Sequence, residues 1–212
     1  MKLSKKFVGL LKIDKFLFLK FYLNKNINGL IFPYKNTKLR LGKKSKISIG
    51  NRLTINSNKI LNSKKESYVD IRDNSEMIVN ENFNIFYDGD ICVFENAKLE
   101  IGSGYMNAGS QIRCQKHIKI GKNVAISRNV MVWDTDAHKI IYEDGRESIV
   151  KQEVIIGDNV WIGNGSIILK GVHIGDNVII GAGSIVNKDI PSNCIAVGNP
   201  AKVVKKIKGW GN

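Results

Sequence analysis

The residues best suited to chemistry fall in one short run, Trp133-Asp134-Thr135-Asp136-Ala137-His138-Lys139. Histidine is the side chain whose ordinary pKa lets it take up and return a proton near neutral pH. A carboxylate within reach would fix the tautomer of the imidazole and stabilise the ring once protonated, and either Asp134 or Asp136 could serve. Such a pair can remove the proton from an attacking hydroxyl. The other two histidines, His117 and His173, lie beside a predicted strand and at a predicted corner, and read as outward-facing or interface residues. Cys92, Cys114 and Cys194 form an odd set with neither metal-type spacing nor a nucleophile motif, and read as reduced, packed thiols.

What must hold this run is a scaffold with a six-residue beat. Ile156, Ile162, Ile168, Ile174, Ile180 and Val186 recur every six residues, and Gly157, Gly163, Gly175 and Gly181 follow four of them. Helices repeat near 3.6 residues and half-buried strands at 2, whereas a hexapeptide period marks a parallel β-helix with short flat faces. Val160, Ser166, Val172, Val178 and Ser184 are small or β-branched and can tuck in behind each corner, and the glycines are expected to supply corners with φ > 0. The same beat runs through Ile101, Asn107, Ile120, Ile126 and Val132, with Val124 and Val130 tucked in. The next tucked-in position is Asp136, and a carboxylate cannot occupy a dry slot without a partner. The coil is therefore expected to open there, with residues 133–153 as an excursion carrying the reactive run. Weaker beats at Leu41/Ile47, Ile49/Ile55 and Ile71/Met77/Phe83 predict the first coils, imperfect as terminal repeats are. Residues 24–29 read as a turn, 31–34 as an extended connector, and the polar stretch 56–66 as a loop. Pro191 and Pro200 end strands, and 202–208 is expected to close the chain as a short helix. The predicted organisation is a basic amphipathic segment over 1–38, an all-β, parallel β-helix domain over 39–200 and a tail over 201–212.

Charge is unevenly spread along the 212 residues. The formal net charge is +14, and residues 1–46 hold 13 basic residues against one acid, Asp14. A basic head on a nearly neutral body predicts a surface contact made by the head. No nucleic-acid reader motif or stacking module is present, so an anionic membrane face or a polyanionic glycan fits better than nucleic acid, with a merely solvated segment as the plain alternative. From Lys5 to Leu23, Phe7, Leu10, Leu11, Phe18, Phe21 and Tyr22 fall at helical intervals with Lys12, Lys15 and Lys20 between them. Such a helix could lie in a membrane interface, or pack over the first coil or a neighbouring subunit. The apolar run Phe16–Leu19 is bounded by Lys15 and Lys20, so neither a signal peptide nor a membrane span is expected. This predicts a cytoplasmic protein, with a peripheral place at the inner face of the membrane if the helix takes the first of these two courses. A single β-helix leaves a coil end and flat faces open, so oligomerisation is expected.

The run VWIGNGSIILKGVHIGDNVIIGAGSIVNKDIPSNCIAVGNPAKVVKKI resembles the C-terminal half of the hexapeptide-repeat acyltransferases, which include galactoside, maltose, serine and capsular-sugar acetyltransferases. The resemblance covers residues 101–207 and implies a left-handed β-helix, assembled as a homotrimer with active sites between subunits. It implies acetyl-CoA as donor, a glycan or activated sugar as acceptor, and His138 as the base for direct attack in a ternary complex. Tyr105 and Asn107 match a segment that contacts the acceptor in the galactoside enzyme, Asn107 alternatively belonging to an internal asparagine ladder. Gln115 stands where that relative has an acidic sugar-binding residue, and Trp133 is counted with the acceptor contacts. Trp161, Gly163, Ala182 and Gly183 match the pantetheine slot, and Lys188, Lys202 and Lys205 the cations near the nucleotide, where Lys lacks the bidentate fork of Arg. The zinc-binding γ-class carbonic anhydrases share the fold but pair two histidines about five apart. Here the three lie 21 and 35 apart, so no metal is expected. The sequence thus points to a sugar O-acetyltransferase of surface-polysaccharide biosynthesis. An N-acyltransferase on a nucleotide-linked amino sugar and a non-catalytic β-helix scaffold are the alternatives.

Overall fold

In the computed structural model, which describes residues 13–60 and 63–211, the six-residue beat becomes a triangular stack of coils. Ile156, Ile162 and Ile168 occupy one face each, and Ile174, Ile180 and Val186 lie over them in the next coil. None of the six is more than 2% exposed. Three beats therefore close one turn, and each turn removes three aliphatic side chains from water, worth about 1.5–3 kcal/mol apiece. The first face stacks Asn82–Phe86, Gly104–Met106, Val124–Ile126, Trp161–Ile162, Val178–Ile180 and Cys194–Gly198. The second stacks Ser67–Ile71, Asp90–Val93, Gln111–Cys114, Met131–Trp133, Ile167–Ile168 and Ile185–Val186. The third stacks Glu76–Val79, Lys98–Ile101, His117–Ile120, Val154–Ile156 and His173–Ile174. The 12-residue strand Lys46–Ser57 pairs with Glu76–Val79 through its first half and with Asn82–Phe86 through its second, so it bends the third face into the first.

The glycines that follow the aliphatics do not serve as expected. Gly157, Gly163, Gly175 and Gly181 have no positive φ. Their role is close approach: a Cβ on Gly121 would sit 2.5 Å from the carbonyl oxygen of Gly157, and one on Gly163 would sit 2.6 Å from the amide nitrogen of Ala182. At this corner the left-handed positions fall instead on Asn123, Asn159, Asn177 and Asn193, with φ of 52, 55, 56 and 62°, a conformation asparagine tolerates better than most residues. Their side-chain amides chain together from coil to coil at 2.8, 2.9 and 3.1 Å. An asparagine ladder thus exists, but at a corner and without Asn107. The inward place expected for Asn107 belongs to the fully buried Met106, because Gly104, at φ 132°, shifts the coil by one residue.

The two ends depart further from expectation. Residues 5–12 of the expected amphipathic helix lie outside the described residues, and the helix found there, α1, spans Lys15–Tyr22. Asp14 caps it by accepting from the Leu17 amide at 3.1 Å. Phe21 is buried, and Phe18 meets the Phe32 ring at 5.4 Å, so α1 packs over the first coil. Phe16, Leu19, Tyr22 and Leu23 stay exposed on its outer side. Parallel stacking already begins at the strand Ile27–Pro33, earlier than residue 39, because Ile27, Ile31 and Pro33 face inward. At the other end, Ala201–Lys206 forms a strand antiparallel to Cys194–Gly198 where a short helix was expected. The β-branched pair Val203-Val204 favours extension, and the last coil offers an open edge that this strand covers. Among the described residues no helix is long and apolar enough to cross a membrane.

Candidate active site

His138 is carried by an excursion inserted between two coils without disturbing the stack. Ile120 lies directly over Ile156, although the whole loop separates them in sequence. The loop leaves after the strand Met131–Trp133 and returns at Val154. Its arms run antiparallel: Asp136 donates its amide to Val150 at 3.0 Å, and Gln152 returns one to Asp134 at 3.0 Å. Further out, Ser148 donates to Ile140 at 2.8 Å and Tyr142 to Arg146 at 2.9 Å. Ala137, at φ 63°, turns the chain so that the His138 amide meets the Asp136 carbonyl at 2.7 Å, and the His138 side chain is exposed.

The two aspartates have other employment than orienting His138. Asp134 is fully buried; its Oδ1 accepts from the Gln115 amide at 2.7 Å and its Oδ2 from the Lys116 and His117 amides, both at 2.8 Å. Three charge-assisted hydrogen bonds satisfy it and pin the corner that the loop departs from. Asp136 is solvent-facing and pairs with Lys170 at 3.1 Å. The carboxylate in a dry slot is therefore Asp134, not Asp136, and the coil opens two residues sooner than the beat suggests.

His117 is the most constrained of the histidines. Its Nε2 lies 2.9 Å from Glu100 and its Nδ1 3.1 Å from Glu153. Both ring nitrogens face carboxylates, so neither lone pair is free for general-base work. The hydrogen bond from His117 holds the Glu153 carboxyl below its ordinary value. Burial pushes Glu100 up, but His117 and Lys98 outweigh it and leave that carboxyl low as well. Burial raises the thiols of Cys92, Cys114 and Cys194 above the ordinary range, so none is poised as a thiolate nucleophile.

The acceptor residues expected from the sequence do not converge within one chain. Tyr105 lies on the first face, stacked on Phe86 at 5.5 Å, and the half-buried Asn107 follows it, its Oδ1 accepting from the Ala108 amide at 2.8 Å. Trp133 lies on the second face, its indole N–H buried and unpartnered among the described residues, and Gln115 sits at the corner held by Asp134. Of the donor residues, Trp161, Gly163, Ala182 and Gly183 gather along the first face and its trailing corner, Lys202 and Lys205 lie on the strand paired to that face, and Lys188 stands apart, after the second-face strand Ile185–Val186. Trp161 is 42% exposed and donates its indole N–H to Ser127 at 3.0 Å. Gly163 stacks against Ala182, and Gly183 turns beside it at φ 69°. Lys188, Lys202 and Lys205 are all exposed. Sequence reasoning missed Trp210, whose ring lies 6.1 Å from that of Trp161 and whose N–H donates to the Asn159 carbonyl at 2.7 Å. It lies past the last repeat, where no periodicity could flag it.

Comparison with known proteins agrees with this architecture. Residues 153–188 match the bacterial transferase hexapeptide (six repeats) family. A polysialic acid O-acetyltransferase of Escherichia coli O1:K1 is 39% identical over 125 residues, covering 58% of this chain and 41% of that protein. A putative acetyltransferase of Schizosaccharomyces pombe is 46% identical over 92 residues, covering 43% of this chain and 44% of that protein. The chain thus spans less than half the length of these two relatives. The crystal structure of the polySia specific acetyltransferase NeuO superimposes with a TM-score of 0.58 at 28% identity, covering 89% of this chain and 90% of that one.

Proposed function

This chain carries the transferase hexapeptide repeat and folds as the left-handed β-helix of the hexapeptide acyltransferases, and from that premise we propose that it is an acetyl-CoA-dependent O-acetyltransferase acting on a sugar of a surface polysaccharide or its precursor. The observation that carries this reading is His138: an exposed imidazole on a loop whose root is fixed by Asp134. His138 takes the proton of the acceptor hydroxyl as its oxygen attacks the thioester carbonyl; the carbon–sulfur bond breaks, and the CoA thiolate leaves with the proton. The buried, protonated thiols support direct transfer without a cysteinyl intermediate. Pantetheine lies along Trp161 and the backbone of Gly163, Ala182 and Gly183, with Lys188, Lys202 and Lys205 meeting the phosphates.

The site is completed by a neighbouring copy in a homotrimer. Three features support this: Asp134 and Asp136 are spent elsewhere, the acceptor residues sit on different faces, and Ile140, Ile141, Tyr142 and Ile149 stand exposed on the loop. A contiguous apolar loop surface fits a subunit contact. The outer side of α1, with Phe16, Leu19, Tyr22 and Leu23 beside Lys15 and Lys20, supports a peripheral place on an anionic membrane inside the cell.

The test is an acceptor screen with acetyl-CoA. Transfer to hydroxyl sugars or oligosaccharides is the result expected; transfer confined to amino sugars would replace the reading by N-acylation, and turnover of neither would leave a scaffold. Exchanging the exposed Lys15, Phe16, Leu19 and Lys20 for Ser is expected to release the protein from anionic vesicles, and persistent binding would remove the membrane assignment.

A further inference from the structure

His117 touches both roots of the loop that carries His138. At the departure, its backbone amide is one of the three held by Asp134, at 2.8 Å. At the return, its Nδ1 lies 3.1 Å from Glu153, the residue just before the strand Val154–Ile156. Its Nε2 reaches in the opposite direction, 2.9 Å to Glu100 on the preceding coil, and Lys98 steadies Glu100 at 3.2 Å. The strand that bears it, His117–Ile120, is hydrogen-bonded on both sides within the third face, to Lys98–Ile101 and Val154–Ile156, so the anchor is rigid.

We propose that His117 is a positioning residue for the transfer reaction: its ring, bridging Glu100 and Glu153 at 2.9 and 3.1 Å, sets the return arm of the loop against the coil stack and so fixes where His138 stands. The proposal rests on His138 being the base, as argued above. Contact with both carboxylates uses both ring nitrogens, which lie at opposite edges of one plane. Lysine would supply charge but not two nitrogens so fixed. A partly solvated pair of this kind adds little to overall stability, whereas a small displacement of a catalytic group is costly, so the consequence falls on the loop rather than on the fold.

Full-length His117→Ala, Glu153→Ala, Glu153→Gln and the double alanine variant test this. Amide exchange over residues 134–152 is expected to quicken about tenfold in both alanine variants while the core strands stay protected. Glu153→Gln, whose amide oxygen still accepts, is expected to restore slow exchange. With acetyl-CoA and an acceptor, kcat is expected to fall about 100-fold with the KM for acetyl-CoA within about twofold, because Trp161, Gly163, Ala182 and Gly183 lie along the first face and its corner, away from His117, and the double variant is expected to be no worse than either single. Unchanged exchange over the loop, or losses that multiply in the double variant, would overturn the proposal. The exchange measurement needs no activity, so a chain that transfers nothing defeats the functional reading and leaves the anchor to be judged on the loop alone.

Discussion

Asp134 and His138 share one short loop segment and differ in setting, the first buried and holding backbone, the second exposed and, in the proposed function, the base. Replacing Asp134 with Ala strands three amides in a dry corner, at about 1–3 kcal/mol for each left unsatisfied. Denaturant unfolding should show a loss of about 3 kcal/mol or more for Asp134→Ala and a smaller one for Asp134→Asn, which keeps an acceptor oxygen. The carboxyls of Glu100 and Glu153 lie low in the folded protein. What they contribute is therefore present above the unfolded glutamate value of about 4.3 and is lost as pH falls below it through their folded values. Loop exchange is accordingly expected to accelerate in that acid window before the core opens, and simultaneous loss of both would count against His117 as the anchor. Asp134 could not be read from sequence because its partners, the amides of residues 115–117, are backbone groups of the preceding coil.

The inward columns were legible because each face of each coil takes one aliphatic, and a period of six survives any local propensity. The glycines were misread because their reason lies in the neighbouring coil. Gly121→Ala would place a methyl group 2.5 Å from the Gly157 oxygen, whereas at Gly165, φ 67°, nothing lies within 4 Å of the added atom. The first substitution is expected to cost well over 2 kcal/mol through overpacking and the second about 1 kcal/mol through backbone strain alone, measurable as shifts in the unfolding midpoint; equal costs would contradict the close-approach account. The closing strand Ala201–Lys206 was hidden by its lysines, although Val203-Val204 carried the signal. Its partner is the edge of the last coil, which no local reading of the tail can see.

Among the described residues the coils form a prism from which the His138 loop projects, and the proposed chemistry belongs to a seam between copies. Trp161 lies on the first face, while the His138 loop springs from the end of the second. In trimers mixed from equal parts of His138→Ala and Trp161→Ala subunits, about one site in four would combine an intact histidine with an intact donor slot. Activity at low acetyl-CoA is expected to reach about a quarter of wild type, whereas the mean of the two parent variants would show that each chain carries its own site. The central claim, that His138 is the base, is tested most directly by single-turnover acetyl transfer from acetyl-CoA to an accepted sugar, comparing wild type with His138→Ala at saturating donor. The result expected is a rate lower by about 100- to 10,000-fold with donor affinity retained, and a rate equal to wild type would contradict it.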